Sequence, residues 1–183
     1  MLHKDLPGGT LYNYQVEALE RIQAFGGHCL LADEMGLGKS ANALAWLWSN
    51  PALRPALIIC PATIKLQWAR QINQWLHIPL DEIDILSGTK SKLPTKGLVI
   101  INYDILSKRL MDLESYGFKA IILDESHYIK EPKSKRSKMA KLLCDRPSVQ
   151  SVLGLTGTPV LNRPKELWHQ AYCINRYVFP NAF

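Results

Sequence analysis

Lys39 and Ser40 follow two glycines in the run Leu30-Leu31-Ala32-Asp33-Glu34-Met35-Gly36-Leu37-Gly38-Lys39-Ser40, which passes from apolar strand residues through a turn into a helix-forming segment. That order suits the binding of a polyphosphate. Successive backbone N–H groups and the start of the helix point at an anion, Lys39 reaches the β and γ phosphates, and the Ser40 hydroxyl ligates Mg²⁺. Gly36 and Gly38 allow backbone angles and a phosphate approach that a Cβ would block. The common phosphate-loop pattern has a further glycine where this chain has Asp33, a residue that tolerates left-handed angles better than most. Nucleotide contact is therefore expected along Asp33, Glu34, Met35, Gly36, Leu37, Gly38, Lys39 and Ser40. A surface glycine turn before a solvated lysine is the competing reading, and the strand before and helix after disfavour it.

A second chemical group is Asp124-Glu125-Ser126-His127, delivered by the apolar run at 119–123. Open parallel sheets bind ligands at the carboxyl ends of their strands. Asp124 there would hold Mg²⁺ and Glu125 would orient a hydrolytic water. Two acids after an apolar run also suit the first turn of a helix, and the phosphate loop upstream is what favours chemistry. Gln15 sits beside Tyr12 and Tyr14 just ahead of the loop. Its amide can donate and accept in a fork matched to the N6 and N7 edge of adenine, which makes ATP the expected nucleotide.

The elements that must position these groups follow from hydrophobic periodicity. Leu11, Val16, Leu19 and Ile22 mark a helix over 12–25, stopped by Gly26-Gly27. Strands are predicted at 28–32, 56–60, 83–86, 97–101, 119–123 and 148–155. The continuous apolar runs among them are those of parallel strands covered on both faces. A helix carrying Ala41, Leu44, Ala45, Leu47 and Trp48 follows the phosphate loop. Pro61-Ala62-Thr63 opens another, where free N–H groups and Lys65 gather as a second phosphate site; Trp68 and Trp75 on that helix read as core. A polar loop is expected at 87–96, a helix from Asn102-Tyr103-Asp104, and a closing helix from Pro164. Thr156-Gly157-Thr158-Pro159 ends the last strand at the same sheet edge. The cations between Lys130 and Lys138 read as a solvated face.

These elements make an α/β domain with a mainly parallel central sheet flanked by helices, and 183 residues suit one such unit with a full core. A composition 47% hydrophobic and 21% charged is that of an ordinary globular protein, with disorder expected only at the ends. The net charge of +6 favours an anionic partner without identifying it. Cys29, Cys60, Cys144 and Cys173 form no C-x-x-C pair and read as buried thiols of a reducing compartment. There is no apolar run near the ~18 residues of a membrane span and no secretory leader, so a soluble, intracellular protein of cytoplasm or nucleus is expected.

Taken in order, the motifs resemble the first motor lobe of the Snf2 group of superfamily 2 helicases over nearly the whole chain. Tyr14-Gln15 is similar to the adenine-reading motif, and Asp33 to Ser40 to the group's own phosphate loop, where Asp-Glu-Met-Gly-Leu-Gly-Lys is common. Cys60-Pro61-Ala62 with Trp68 resembles motif Ia, Asn102-Tyr103 the next strand-end motif, Asp124 to His127 the metal and water motif, and Thr156 to Pro159 motif III. Arg163 to Trp168 and Phe179-Pro180 lean toward the annealing-helicase branch. The resemblance implies a three-layer RecA-like lobe that uses ATP and Mg²⁺, with Lys39, Asp124 and Glu125 catalytic, and travels on double-stranded DNA. It implies phosphate contacts to DNA from Pro61, Ala62, Thr63, Lys65, Asn102, Tyr103, Thr156, Gly157, Thr158 and Asn162. It also implies a second RecA-like lobe, absent from this chain, that supplies arginines to the nucleotide, since the arginines here lie outside the phosphate-binding motifs. A nucleotide kinase would fit the phosphate loop but needs neither Glu125 beside Asp124 nor the Thr156 to Pro159 turn. A non-hydrolysing nucleic-acid or partner-binding module with the same fold is the other alternative.

Overall fold

A computed structural model describes residues 2–88, 94–158 and 164–175. The chain opens on a small hairpin, β1 (Asp5–Leu6) and β2 (Gly9–Thr10), followed by α1 (Asn13–Ala24), β3 (His28–Leu31) and α2 (Lys39–Ser49). Next come β4 (Ala56–Cys60), α3 (Lys65–Leu76), β5 (Ile83–Ile85), β6 (Leu98–Asn102) and α4 (Leu106–Tyr116). β7 (Ala120–Asp124), α5 (Lys135–Cys144), β8 (Ser151–Leu155) and α6 (Pro164–Ile174) complete it. The six longer-range strands form one sheet in the order β3-β8-β7-β4-β6-β5, and each of its pairings is parallel.

Residue alternation along the strands divides the core in two. Ala56, Ile58, Cys60, Ile100, Ile122 and Leu153 pack under α1, α2 and α3 through Leu19, Leu44, Trp68 and Ile72. Leu57, Ile59, Val99, Ile101, Ile121 and Val152 pack on the opposite face under α4, α5 and α6 through Leu106, Leu113, Leu143 and Cys173. Both faces of the sheet are covered, which is why these strands read as unbroken apolar runs. The outcome is three layers. Because all six strands run the same way, their carboxyl ends open onto one edge, where the phosphate loop, Pro61, Asn102, Asp124 and Thr156 follow in turn.

The predicted strands are all present, with ends moved by a few residues. The last begins at Ser151 rather than 148. The helix expected from Asn102 is preceded by a 3-10 turn at Tyr103–Ile105. The hairpin escaped the sequence reading because two-residue strands carry no periodicity. It is held by Thr10 Oγ1 donating to Asp5 Oδ1 at 2.8 Å and by Gly8 N–H donating to the Trp75 carbonyl at 3.1 Å. A Cβ on Gly8 would lie 1.8 Å from the Gln74 carbonyl oxygen, so only glycine allows this approach to α3. The four cysteines are free thiols, and no described helix is long and apolar enough to cross a membrane.

A buried polar bridge joins α2 to the sheet. Trp46 Nε1 donates to Ser151 Oγ at 3.0 Å, and that hydroxyl donates onward to the Gly27 carbonyl at 2.7 Å. Ser151→Ala leaves a buried indole N–H without its acceptor, and should lower unfolding free energy by about 1–3 kcal/mol. Urea denaturation followed by circular dichroism checks this, and an unchanged midpoint would contradict it.

Candidate nucleotide and nucleic-acid site

The phosphate loop joins β3 to α2. Gly36 and Gly38 have φ of 87° and 76°, the left-handed region that the turn requires. Asp33 is not among the described non-glycine residues with positive φ, which are His77 and Glu125. The missing glycine therefore costs nothing, because this position needs no left-handed backbone. Lys39 Nζ donates to the carbonyls of Asp33 (2.7 Å) and Glu34 (2.8 Å), so the ammonium closes over the loop and holds its curvature.

Gln15 is buried at 4% exposure. Its Oε1 accepts from Tyr12 N–H at 2.9 Å, capping α1, and its Nε2 donates to the Leu37 carbonyl at 3.3 Å. A Cβ on Gly38 would fall 2.2 Å from that Nε2, so the loop and the amide are packed against each other. Each atom of the amide keeps one further hydrogen-bonding position. Tyr12 and Tyr14 stack outside it, centroids 5.8 Å apart, and both are exposed.

β7 delivers Asp124 to the same edge. Its Oδ2 accepts from Trp68 Nε1 at 2.7 Å, its Oδ1 from Glu125 N–H at 2.9 Å, and its carbonyl from Tyr103 Oη at 2.8 Å. Burial pushes the Asp124 carboxyl above the ordinary carboxylate range, while the Trp68 and Glu125 hydrogen bonds pull it back. Glu125 charge raises it further and the Lys39 ammonium lowers it, so the two motifs feel each other electrostatically. Behind them, burial and the charge of Asp124 push the Cys60 thiol up to about 12, which keeps it a neutral packing group.

Glu125 has φ 49° and ψ 54°, a left-handed backbone unusual for this residue type. Tyr128 N–H donates to its carbonyl at 2.9 Å. Ser126 Oγ donates to Gln170 Oε1 at 2.7 Å, and both residues are fully buried. Glu125 Oε2 lies 3.2 Å from His127 Nδ1, close enough to attract, although the groups are not aligned as a hydrogen bond. Strained backbone of this kind persists where neighbours over-determine it, and it clusters at functional sites.

Ser40 and Asp124 supply hard oxygen donors. Each Asp124 oxygen accepts one protein N–H and has a lone pair left, so the pair fits Mg²⁺, which takes one or two protein oxygens and completes its shell from phosphate and water.

The turns expected to touch DNA are only partly what the sequence suggested. Ala62 and Thr63 are exposed after β4 and Pro61 is half-buried. Lys65 Nζ donates to the Leu86 carbonyl at 2.9 Å, so its charge is anchored beside that turn. Tyr103 and Thr156 present no exposed side chain at these turns. Tyr103 is 2% exposed and Thr156 is 1% exposed, because the Tyr103 hydroxyl is engaged with Asp124 and the Thr156 hydroxyl accepts from Thr158 N–H at 3.1 Å. Those side chains shape their turns and do not reach the surface. Asn102 is also buried, its amide donating to Asp104 Oδ2 at 3.2 Å. Gly157 packs on the phosphate loop, where a Cβ would meet Met35 Cγ at 2.8 Å. Asn162, Pro159, Arg163 and the Phe179-Pro180 tail lie outside the described residues.

The SNF2-related domain family matches residues 14–180. The chain belongs to that family. A Caenorhabditis elegans homolog of SWI/SNF-related matrix-associated actin-dependent regulator of chromatin subfamily A-like protein 1 is 37% identical over 175 residues, 93% of this chain and 25% of that protein. The human DNA annealing helicase and endonuclease ZRANB3 is 33% identical over 164 residues, 86% of this chain and 15% of that protein. The structure of the Sulfolobus solfataricus SWI2/SNF2 ATPase core in complex with dsDNA superposes with a TM-score of 0.79 at 26% identity, covering 95% of this chain and 37% of that one. The chain thus spans a quarter or less of these two curated relatives. The RecA-like architecture is that of the Snf2 ATPase core, and nucleotide use follows from membership of this family.

Within this Snf2-related lobe, sequence reasoning missed Trp68 as a partner of Asp124 and Gln170 as a partner of Ser126. A buried tryptophan needs an acceptor for its indole N–H, and that was the available signal for the first. Gln170 gave none. Trp68→Phe removes a hydrogen bond that holds Asp124 ionised, so its carboxyl should titrate still higher. If Asp124 holds Mg²⁺ as a carboxylate, Mg²⁺-dependent nucleotide affinity should then fall away at a higher pH than in the parent as the solution is acidified. Calorimetric titrations across pH check this, and coincident profiles would remove Trp68 from that role.

Proposed function

We propose that the chain is the ATP-binding lobe of an Snf2-type, DNA-stimulated ATPase that moves on double-stranded DNA and works with a second RecA-like lobe. The observation that carries this reading is that Lys39, Asp124 and the left-handed Glu125 arrive at one sheet edge, Lys39 and Asp124 each held by its own hydrogen bonds and close enough to influence each other electrostatically. In this reading Lys39 exchanges its carbonyl partners for phosphate oxygens, and Gln15 reads adenine with its remaining hydrogen-bonding positions. Ser40 and Asp124 would hold Mg²⁺, which when bound neutralises charge between the β and γ phosphates. Glu125 orients the attacking water, its carboxylate near His127. The protein's own donors to the phosphates would be the loop's backbone N–H groups and Lys39; the charge that develops in transfer calls for an arginine, worth roughly 10³ to 10⁵ in rate. The second lobe would deliver it. DNA would be held by its phosphates at the Pro61-Ala62-Thr63 turn with Lys65 and at the backbone of the turns after β6 and β8.

ATP with Mg²⁺ should bind this chain, and Lys39→Ala should weaken binding by roughly 1.5–3 kcal/mol through loss of a charge-assisted contact. Calorimetry showing equal affinities would remove the phosphate-loop assignment. Turnover by the chain alone should be near background, with or without duplex DNA. Supplying the second lobe should give a DNA-stimulated rate that Glu125→Gln abolishes while ATP still binds. A second-lobe pairing that binds ATP and DNA yet never hydrolyses would favour a non-hydrolysing binding module instead.

A further inference from the structure

A cavity of about 300 Å³ lies between the start of α4 and the start of α5, lined by Tyr103, Asp104, Ser107, Ser134, Lys135 and Arg136. It opens on the same side as the phosphate loop, since Tyr103 follows the end of β6 and α5 follows β7 through the acidic turn. None of its residues belongs to the nucleotide site except through Tyr103. We propose that this cavity is a subsite for one phosphodiester of a nucleic-acid backbone, with Lys135 and Arg136 as its cationic contacts and Ser107 and Ser134 as neutral ones. The inference rests on the nucleic-acid reading above and adds a contact that reading did not contain.

Three observations carry it. The lining holds two cations and one acid, a net single positive charge that matches the single negative charge of a phosphodiester. Asp104 is engaged by the Asn102 amide at 3.2 Å, whereas among the described residues no acid pairs with Lys135 or Arg136. Lys135 and Arg136 are exposed, so their charge is available.

Arg136 is also held in place, unlike a freely solvated cation. Its guanidinium lies 5.1 Å over the Tyr128 ring, a contact that orients the planar group. Tyr128 in turn stacks on Tyr103 with centroids 5.4 Å apart. Ser134 is fixed as the N-cap of α5 by accepting from Ser137 N–H at 3.2 Å. Between Lys130 and Lys138 there are five cations against the single acid Glu131. Only two of the five line the cavity, which makes the proposal separable from a general basic cloud.

The test measures binding of a labelled DNA duplex to the whole chain by fluorescence anisotropy over a range of salt concentrations. The parent is compared with Lys135→Gln/Arg136→Gln and with the charge-matched Lys133→Gln/Lys138→Gln. Loss of two phosphate contacts should reduce the slope of log affinity against log salt by about 2 and weaken duplexes of different sequence alike. The control pair should change the slope by less than half as much. ATP affinity should be unchanged in both and melting temperature nearly so, since all four side chains are exposed and only the Arg136 contact with Tyr128 is lost. Equal slope changes in the two double variants, or an unchanged slope in Lys135→Gln/Arg136→Gln, would overturn the subsite while leaving DNA binding intact. A parent that binds ATP but no duplex would overturn the nucleic-acid reading and the subsite together.

Discussion

The partial burial of Asp124 is the constraint around which the site is arranged. A carboxylate at the end of a central strand loses solvation and tends to take up a proton. The fold opposes that with an indole N–H from α3, a backbone N–H from Glu125 and the Lys39 ammonium across the edge. Each comes from a different segment. The identity of Trp68, the left-handed turn at Glu125 and the position of the phosphate loop are thus tied to one ionised group. Tyr103 completes the arrangement by fixing the carbonyl of the same residue.

The acidic turn is also tied to the far end of the chain. Ser126 reaches Gln170 on α6 in a buried hydrogen bond, so the backbone next to Glu125 depends on a helix that begins after the last strand. A buried polar pair is costly to break from one side only. α6 is therefore more than a cover for the sheet. Cys173 and Ile174 seal the apolar layer while Gln170, on the same helix, fixes the acidic turn.

Most of the fold was legible because its signals are local. The apolar runs at Ala56–Cys60 and Ala120–Asp124 mark buried parallel strands, and Gly36 and Gly38 mark a turn that needs positive φ. The Lys39, Asp124 and Glu125 positions were legible from motif order. Features set by distant pairs were not. Trp68 has the spacing of a core residue and is one, at 1% exposure, so its second role shows only when Asp124 is placed beside it. Tyr103 and Thr156 show the same limit: a residue at a strand end is near the ligand edge, but whether its side chain points outward depends on what lies under the turn. The hairpin at Asp5 to Thr10 was too short to carry a pattern.

The sheet order has a consequence for how the molecule is made. β3, the strand that ends in the phosphate loop, lies at the sheet's edge and pairs only with β8, in a register that sets His28 against Val152. On a ribosome, residues 28–31 wait for a partner translated more than a hundred residues later. Sequence separations of this kind slow folding and leave an unpaired edge exposed meanwhile. The edge that carries the phosphate loop is therefore closed only by a strand far along the chain, and a nascent chain halted before Ser151 would carry every residue of the loop with no strand to brace it.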